Sequence, residues 1–426
     1  MKLWSKKDNL NKIIESFTVG NDRYYDMYLA KYDIIASKAH AKMLCKIGIL
    51  DHNEKESIIK ELNNINILIE NNEFDIEDNF EDIHSKIEFY LTEKLGDLGK
   101  KIHTARSRND QVLVALQLFL KDEIDIVKND IKELFETLIL LSNKYSNDLL
   151  PGYTHLQSAM PSSFGLWFSS YAETMIDDIL FFNTAYDINN QNPLGSAAGY
   201  GSSFKIDRKF TTEELGFKQL KYNVVASQMN RGKIEKSVSL AISSIATTLS
   251  IFSSDICLYM TQEFNFISFP DEFTTGSSIM PHKKNPDIFE LIRAKCNSLK
   301  SLPNEFIIIS NNLTSGYHRD LQVYKGKIIE ALIEIKECIK IFNYSIKNIK
   351  IRKNILDDEK YKFIYSVENL NKLVQDGYNF RDAYNEISNQ INNKSFTPSK
   401  NIKHELIGGI HNLCLDEIKL KMKKIF

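Results

Sequence analysis

The stretch Leu113–Leu141, LVALQLFLKDEIDIVKNDIKELFETLILL, follows Leu113 with Leu116, Leu120, Ile124, Val127, Ile131, Leu134, Leu138 and Leu141, at intervals of three or four. Residues so spaced share one face of a helix, and the pattern predicts a continuous amphipathic helix over about 111–146. The stripe recurs at Phe164, Phe168, Tyr171, Met175, Ile179 and Phe182, and again at Ile234, Val238, Ala241, Ile245, Leu249, Phe252, Ile256 and Tyr259. Both predict further helices of a bundle. The eight prolines leave 1–150, 194–269 and 304–397 free of this helix breaker, so long helices are permitted. Pro161 and Pro286 are expected in first helical turns, where proline's missing N–H has no partner to lose. The chain thus reads as all-α, with an N-terminal helical domain (1–103), a central long-helix bundle (104–350) and a small C-terminal helical domain (351–426).

With 426 residues, 43% of them hydrophobic, the chain can bury a large core. Its 54 basic and 56 acidic residues are mixed along the chain, which removes the positive surface expected of a nucleic-acid binder. No run approaches the roughly 18 apolar residues of a membrane span, and Met1–Asp8 has no apolar signal core, so a cytoplasmic protein is expected. Cys45, Cys257, Cys296, Cys338 and Cys414 are scattered without a C-x-x-C pair, which points to reduced thiols rather than a disulfide framework or zinc site. A small polar substrate remains.

Three polar segments interrupt the helical pattern: HTARSRNDQV (103–112), PGYTHLQSAMP (151–161) and TGSSIMPHKKNPD (275–287). The first two flank the helix of 111–146, which at 1.5 Å per residue holds them roughly 50 Å apart. If both serve one substrate, a second subunit must bring its opposite end to the first, which implies a symmetric oligomer. In the first segment Arg106, Arg108, Asn109 and Gln111 offer forked donors suited to carboxylates just before a helix N-terminus. The same residues also suit a solvated cap. His155 titrates near neutral pH and is a candidate proton carrier, or a satisfied structural histidine. In the third segment Gly276 permits close approach, while Lys283 and Asn285 suit developing negative charge. A phosphate cradle is disfavoured there, because the P-loop spacing is missing.

The segment GSSIMPHKKNP (276–286) resembles the signature loop of the fumarase/aspartase superfamily. Together with HTARSRNDQV, GYTHLQ (152–157), NPLGSAAGYGSSF (192–204), YHRDLQVYK (317–325) and EDIHSKIE (81–88), it is similar to the argininosuccinate lyase branch. The resemblance implies a three-domain helical fold whose long central bundle forms a homotetramer, each active site being built from three subunits. It further implies reversible anti elimination of argininosuccinate to arginine and fumarate, the last step of arginine synthesis, without metal or organic cofactor. Carried over by position, Ser277 is the base and Ser278 a neighbouring donor, with Ser278 the alternative base. Lys283 and Asn285 hold the aci-carboxylate, and His155, partnered by Glu290, is the acid or its relay, or alternatively takes the proton itself. Substrate contacts implied in the same way are Arg108, Asn109, Thr154, Tyr317, Gln322 and Lys325, with Ser107 and Gln111.

The chain departs from the family pattern at several points. Ala105 replaces a usual glycine, neutral unless that backbone needs a positive φ. His282 stands where glutamine is common. FTVGNDRYYD (17–26) lacks a substrate-binding serine often found there, leaving Asn21 and Asp22 as neighbours of that site, and MNRG (229–232) keeps Arg231 while losing two acidic residues. The alternatives are another fumarate-producing lyase, acting on adenylosuccinate, aspartate or malate, and a non-catalytic crystallin-like scaffold.

Overall fold

The computed structural model describes residues 12–426; Met1–Asp8, read above for a signal core, lies outside them. The three stripes become the helices Arg108–Lys144, Phe164–Asn189 and Lys233–Tyr259, joined by Val323–Ile346. Every stripe residue from Leu113 to Leu141 is buried, each apolar side chain so enclosed contributing about 1.5–3 kcal/mol before chain entropy is set against it. The helix Lys233–Tyr259 is long and apolar enough to cross a membrane by composition, contrary to the reading above, but 56% of its most apolar window is buried inside the fold.

The chain divides into two compact units: the described residues through Lys128 with Phe181–Ser243 and Leu299–Ile335, and Asn129–Leu180 with Ser244–Ser298 and Lys336–Phe426. In the first, the helix Asp22–Lys46 packs on His52–Glu70 and Ile83–Leu95 around Leu44, Ile58, Leu62 and Ile87. Gln117 and Asn189 exchange side-chain to main-chain hydrogen bonds of 2.8 and 2.7 Å. In the second, the rings of Tyr171 and Phe252 stack at 3.8 Å, Phe342 lies 4.8 Å beyond, and Asp178 accepts from Ser244 and from Thr248 (2.7 Å). Leu370, Ala383, Ile387 and Phe396 form a separate small core near the C-terminus.

The segment 151–161 is a β-hairpin, Leu149–Thr154 against Gln157–Ser163, and Pro161 pairs with Pro151 instead of opening a helix, which starts at Phe164. The two-residue turn, His155 and Leu156, has φ of 52° and 60°. Two successive positive values are what a tight right-twisted hairpin requires, and histidine tolerates them better than most residues. Pro286, by contrast, directly precedes the helix Asp287–Leu299 and its carbonyl accepts from Phe289 and Glu290.

The start of the longest helix is set by a reciprocal cap. Ser107 Oγ accepts from Asn109 N–H (3.3 Å), while Asp110 reaches back to Ser107 N–H (2.9 Å). The turn before it demands a left-handed residue, and Ala105 fills that position at φ 61°. A left-handed conformation costs an alanine about 1–2 kcal/mol that glycine does not bear. Ala105→Gly is therefore expected to raise folding stability by about 1 kcal/mol despite glycine's freer unfolded chain, read as a higher urea midpoint. A lower midpoint would show that the strain lies elsewhere.

Candidate active site

In the first unit a cavity of about 180 Å³ gathers Arg108, Asn109, Tyr317, Gln322 and Lys325, five of the expected substrate contacts. Around them stand Asp22, Asp26, Glu81, Asp82, Arg231 and Arg319. Lys325, 4% exposed, binds Asp26 at 2.5 Å and Asp22 at 3.0 Å. Burial alone works against its charge, but the two carboxylates outweigh it and hold its pKa above the ordinary lysine value. The approach depends on Gly326, where a Cβ would lie 2.5 Å from the ring of Tyr25. Arg108 forks to Glu81 (2.9 Å), Asp82 (3.4 Å) and Ser85 Oγ (2.6 Å).

Other residues of the first segment serve the fold. Arg106, read above as a donor to ligand carboxylates, turns inward to Ser37 Oγ (3.0 Å) and Asp33 (3.7 Å), with its side chain 1% exposed. The hydroxyl of Ser107 is engaged in the helix cap, and Gln111 is buried. Asp33 also meets His84 Nδ1 at 3.2 Å. Burial opposes charge on His84, but Asp33, Asp82 and Asp26 prevail and raise its pKa above 6.5. Asp82 is in turn held below the usual carboxylate range: burial pushes it up, while His84, Arg108 and hydrogen bonds from Ser85 pull it further down. Sequence reasoning missed Asp26 and Asp33, although with Asp22, Ser37 and His40 they recur at helical spacing on one face of Asp22–Lys46.

Arg231 lines the same cavity. Its Nε bonds Glu235 at 3.0 Å, and its Nη2 donates to Leu321 O at 2.9 Å, beside Gln322. Glu235, one turn beyond Arg231, also accepts from Gly232 N–H at 2.7 Å.

In the second unit an open cleft of about 1400 Å³ is lined by Lys283, Asn285, Glu290, His282 and Arg293. Its loop is closed at the neck by a main-chain pair: Asn285 N–H donates to Thr275 O (2.8 Å) and Thr275 N–H to Asn285 O (3.3 Å). Within it, Ser277 Oγ receives the N–H groups of Ile279 (3.4 Å) and Met280 (3.2 Å). Such donors favour a serine oxygen that has lost its proton. Asn285 Nδ2 donates to Gly276 O at 3.3 Å, and Ser278 is exposed. Burial lifts the thiol of Cys257, on the wall of this cleft, to about 11, so it stays protonated at neutral pH. Thr154 and His155 are exposed at the hairpin tip; among the described residues no hydrogen bond or ion pair joins His155 to Glu290.

The lyase family model matches residues 6–299. The chain is 52% identical to the argininosuccinate lyase of Bacteroides thetaiotaomicron, covering 100% of this chain and 95% of that one. It is 40% identical to that of Thermotoga neapolitana, covering 91% and 97%. Among solved structures, EDDS lyase in complex with formate superposes with a TM-score of 0.79 at 19% identity, over 99% of this chain and 91% of that one. A fumarate lyase:delta crystallin from Brucella melitensis superposes at 0.73 and 17% identity, over 94% and 91%.

Because the folded pKa of His84 is raised, its charge stabilises fully below about pH 6.5, and that contribution disappears as pH rises through the elevated pKa. The stability gap between wild type and His84→Gln is expected to narrow from pH 6 to pH 9 in urea titrations. A constant gap would count against an ionised His84.

Proposed function

The chain belongs to the lyase family and, within it, to the argininosuccinate lyases, and from that premise we propose that it cleaves argininosuccinate reversibly to arginine and fumarate. The observation that carries the site assignment is the pinned loop, in which two main-chain N–H groups converge on Ser277 Oγ.

Elimination begins when a proton leaves the carbon beside a carboxylate, and its electrons spread into that carboxylate as an aci-dianion. Ser277 takes the proton, aided by the N–H groups of Ile279 and Met280. Lys283 and Asn285, with Ser278 as a further donor, hold the added negative charge. As the C=C bond forms, the C–N bond breaks and its electron pair remains on the guanidino nitrogen, which must be protonated. His155 supplies that proton, oriented by Glu290, since a carboxylate beside an imidazole fixes its tautomer and favours its protonated form. The other ends of the substrate fall to Arg108, Asn109, Thr154, Tyr317, Gln322 and Lys325, with Ser107 and Gln111 acting through the helix start.

These groups come together from several subunits of a homotetramer. The unbroken helix Arg108–Lys144 has 37 residues and measures about 55 Å at 1.5 Å per residue, with Arg108 at its first turn and the His155 hairpin following its last. Leu240, Ile251 and Leu258, 46%, 53% and 37% exposed, lie on one face of the helix Lys233–Tyr259 at intervals of eleven and seven, as an intersubunit seam requires.

Fumarate release, followed by ultraviolet absorbance with argininosuccinate, adenylosuccinate, aspartate and malate in parallel, is expected from argininosuccinate alone. Release from another compound would move the protein to that branch, and silence from all four would favour the scaffold. Ser277→Ala is expected to lower kcat by about 10²–10⁴-fold. Mixed with the separately inactive His155→Asn, it should regain partial activity, and no recovery at any ratio would refute sites shared between chains.

A further inference from the structure

We propose that Tyr361 is a positioning residue for His155, holding the stem of the hairpin that presents the imidazole to the substrate; the proposal rests on the role given to His155 above. Tyr361 lies beyond residues 6–299, which the family model matches, and beyond every residue given a part in the reaction. The hairpin needs an anchor. A ribbon of two strands is marginal by itself, and here the tip, Thr154–Ser158, is exposed throughout. The register also shifts below that tip, Gly152 facing Met160 and Tyr153 facing Ser158, so the ladder alone sets the direction of His155 weakly.

Tyr153 supplies what the ladder lacks. Two residues before His155, it donates from its hydroxyl to Tyr361 Oη at 3.3 Å, and its ring lies 5.5 Å from that of Phe264, centroid to centroid. Burial and the Tyr361 hydroxyl both raise its pKa, so it remains a protonated donor at neutral pH. The acceptor is the better fixed of the two. Tyr361 is 3% exposed in the 3₁₀ helix Glu359–Tyr365, and the chain leading to it is tied down at several points. Lys360 Nζ donates to Glu263 O at 3.0 Å, Arg352 pairs with Asp358 and gives its main-chain N–H to Phe266 O at 2.8 Å, and Lys350–Ile351 pairs with Ile267–Ser268. At the base of the hairpin, Lys353 pairs with Asp148, whose carbonyl accepts Phe164 N–H at 2.8 Å. Residues 350–361 therefore grip the hairpin at its base and again beside its tip.

Placement is the quantity at stake. One hydrogen bond between neutral hydroxyls adds little to a fold, whereas a reacting group misplaced by about 1 Å can lose about 10²-fold in rate. Thr154 shares the tip, but Arg108, Asn109, Tyr317, Gln322 and Lys325 lie off the hairpin, so a loosened stem falls mainly on kcat.

Tyr361→Phe keeps the ring and removes the acceptor. It is expected to lower kcat for argininosuccinate about tenfold and to move KM less than about threefold, with the urea midpoint nearly unchanged. Tyr153→Phe should cost the same, and the double variant no more than either; unchanged kcat in Tyr361→Phe, or two losses that multiply, overturns the proposal. Subunit mixing separates placement of His155 from general weakening. In hybrids of Ser277→Ala with His155→Asn chains, a working site takes its histidine from the first and its serine from the second. Tyr361→Phe added to the Ser277→Ala chain should lower the recovered activity about tenfold, and added to the His155→Asn chain should leave it unchanged. Equal losses, or the reverse order, overturn the proposal. Tyr153→Phe carries the same comparison should Tyr361→Phe not fold, and the kcat comparison decides if the hybrids recover nothing. If wild type releases no fumarate from argininosuccinate, the assigned reaction falls, and hydrogen exchange still tests the brace: Tyr361→Phe must speed exchange of the N–H groups of Tyr153–Ser158, and unchanged exchange overturns it.

Discussion

The carboxylate of Asp110 is the point on which the first unit is organised. Fully buried, it accepts Ser107 N–H through one oxygen and the N–H groups of Gly195 and Ala197, each at 3.0 Å, through the other. A buried anion with fewer donors would cost several kcal/mol, and even here burial raises its pKa. Its demands explain local oddities. Gly195 has φ 84° and no room for a Cβ, which would sit 2.8 Å from Arg208, and Ala197 accepts φ 52° so that its N–H can point inward. Arg208 then binds the carbonyls of Leu194, Pro193, Lys221 and Tyr222, tying the glycine-rich segment to the helix start from the other side.

On this frame rests a helix with a buried polar face. Asp22, Asp26, Asp33, Ser37 and His40 follow one line of Asp22–Lys46, facing Lys325, His84, Arg106 and the carbonyl of Thr104. Burial suppresses charge on His40 and favours its neutral form, with Nε2 donating to Thr104 O at 2.9 Å. His84, the same residue type and equally enclosed, goes the other way because carboxylates surround it. Ion pairs of this kind add little net stability over apolar packing, but breaking one leaves a stranded charge, so they fix which groups face the cavity.

The long helices were legible because their stripes have one period and all of their cost is met by apolar burial. The first and third polar segments stood out because donors and hydroxyls crowd at the ends of apolar helices. The hairpin was not, since its polar, proline-containing strands lack alternation and its turn is built by residues that need not be glycine. Arg106 and Arg108 illustrate a deeper limit: two arginines one residue apart read alike in sequence, and only the burial of Ser37 and Asp33 beside one of them gives it a structural task. Glu235 was similarly hidden, because a counter-ion one helical turn from its arginine makes no contiguous motif with it.

Thr275 and Asn285 close the neck of the loop that carries Ser277. Two main-chain hydrogen bonds fix the ends of the loop, while its tip carries Ile279, 83% exposed, and Ser278 in the open. Shutting such a tip over a ligand draws its ordering entropy from the affinity for that ligand. The neck confines that ordering to the tip of the loop, without disturbing the helix beginning at Asp287.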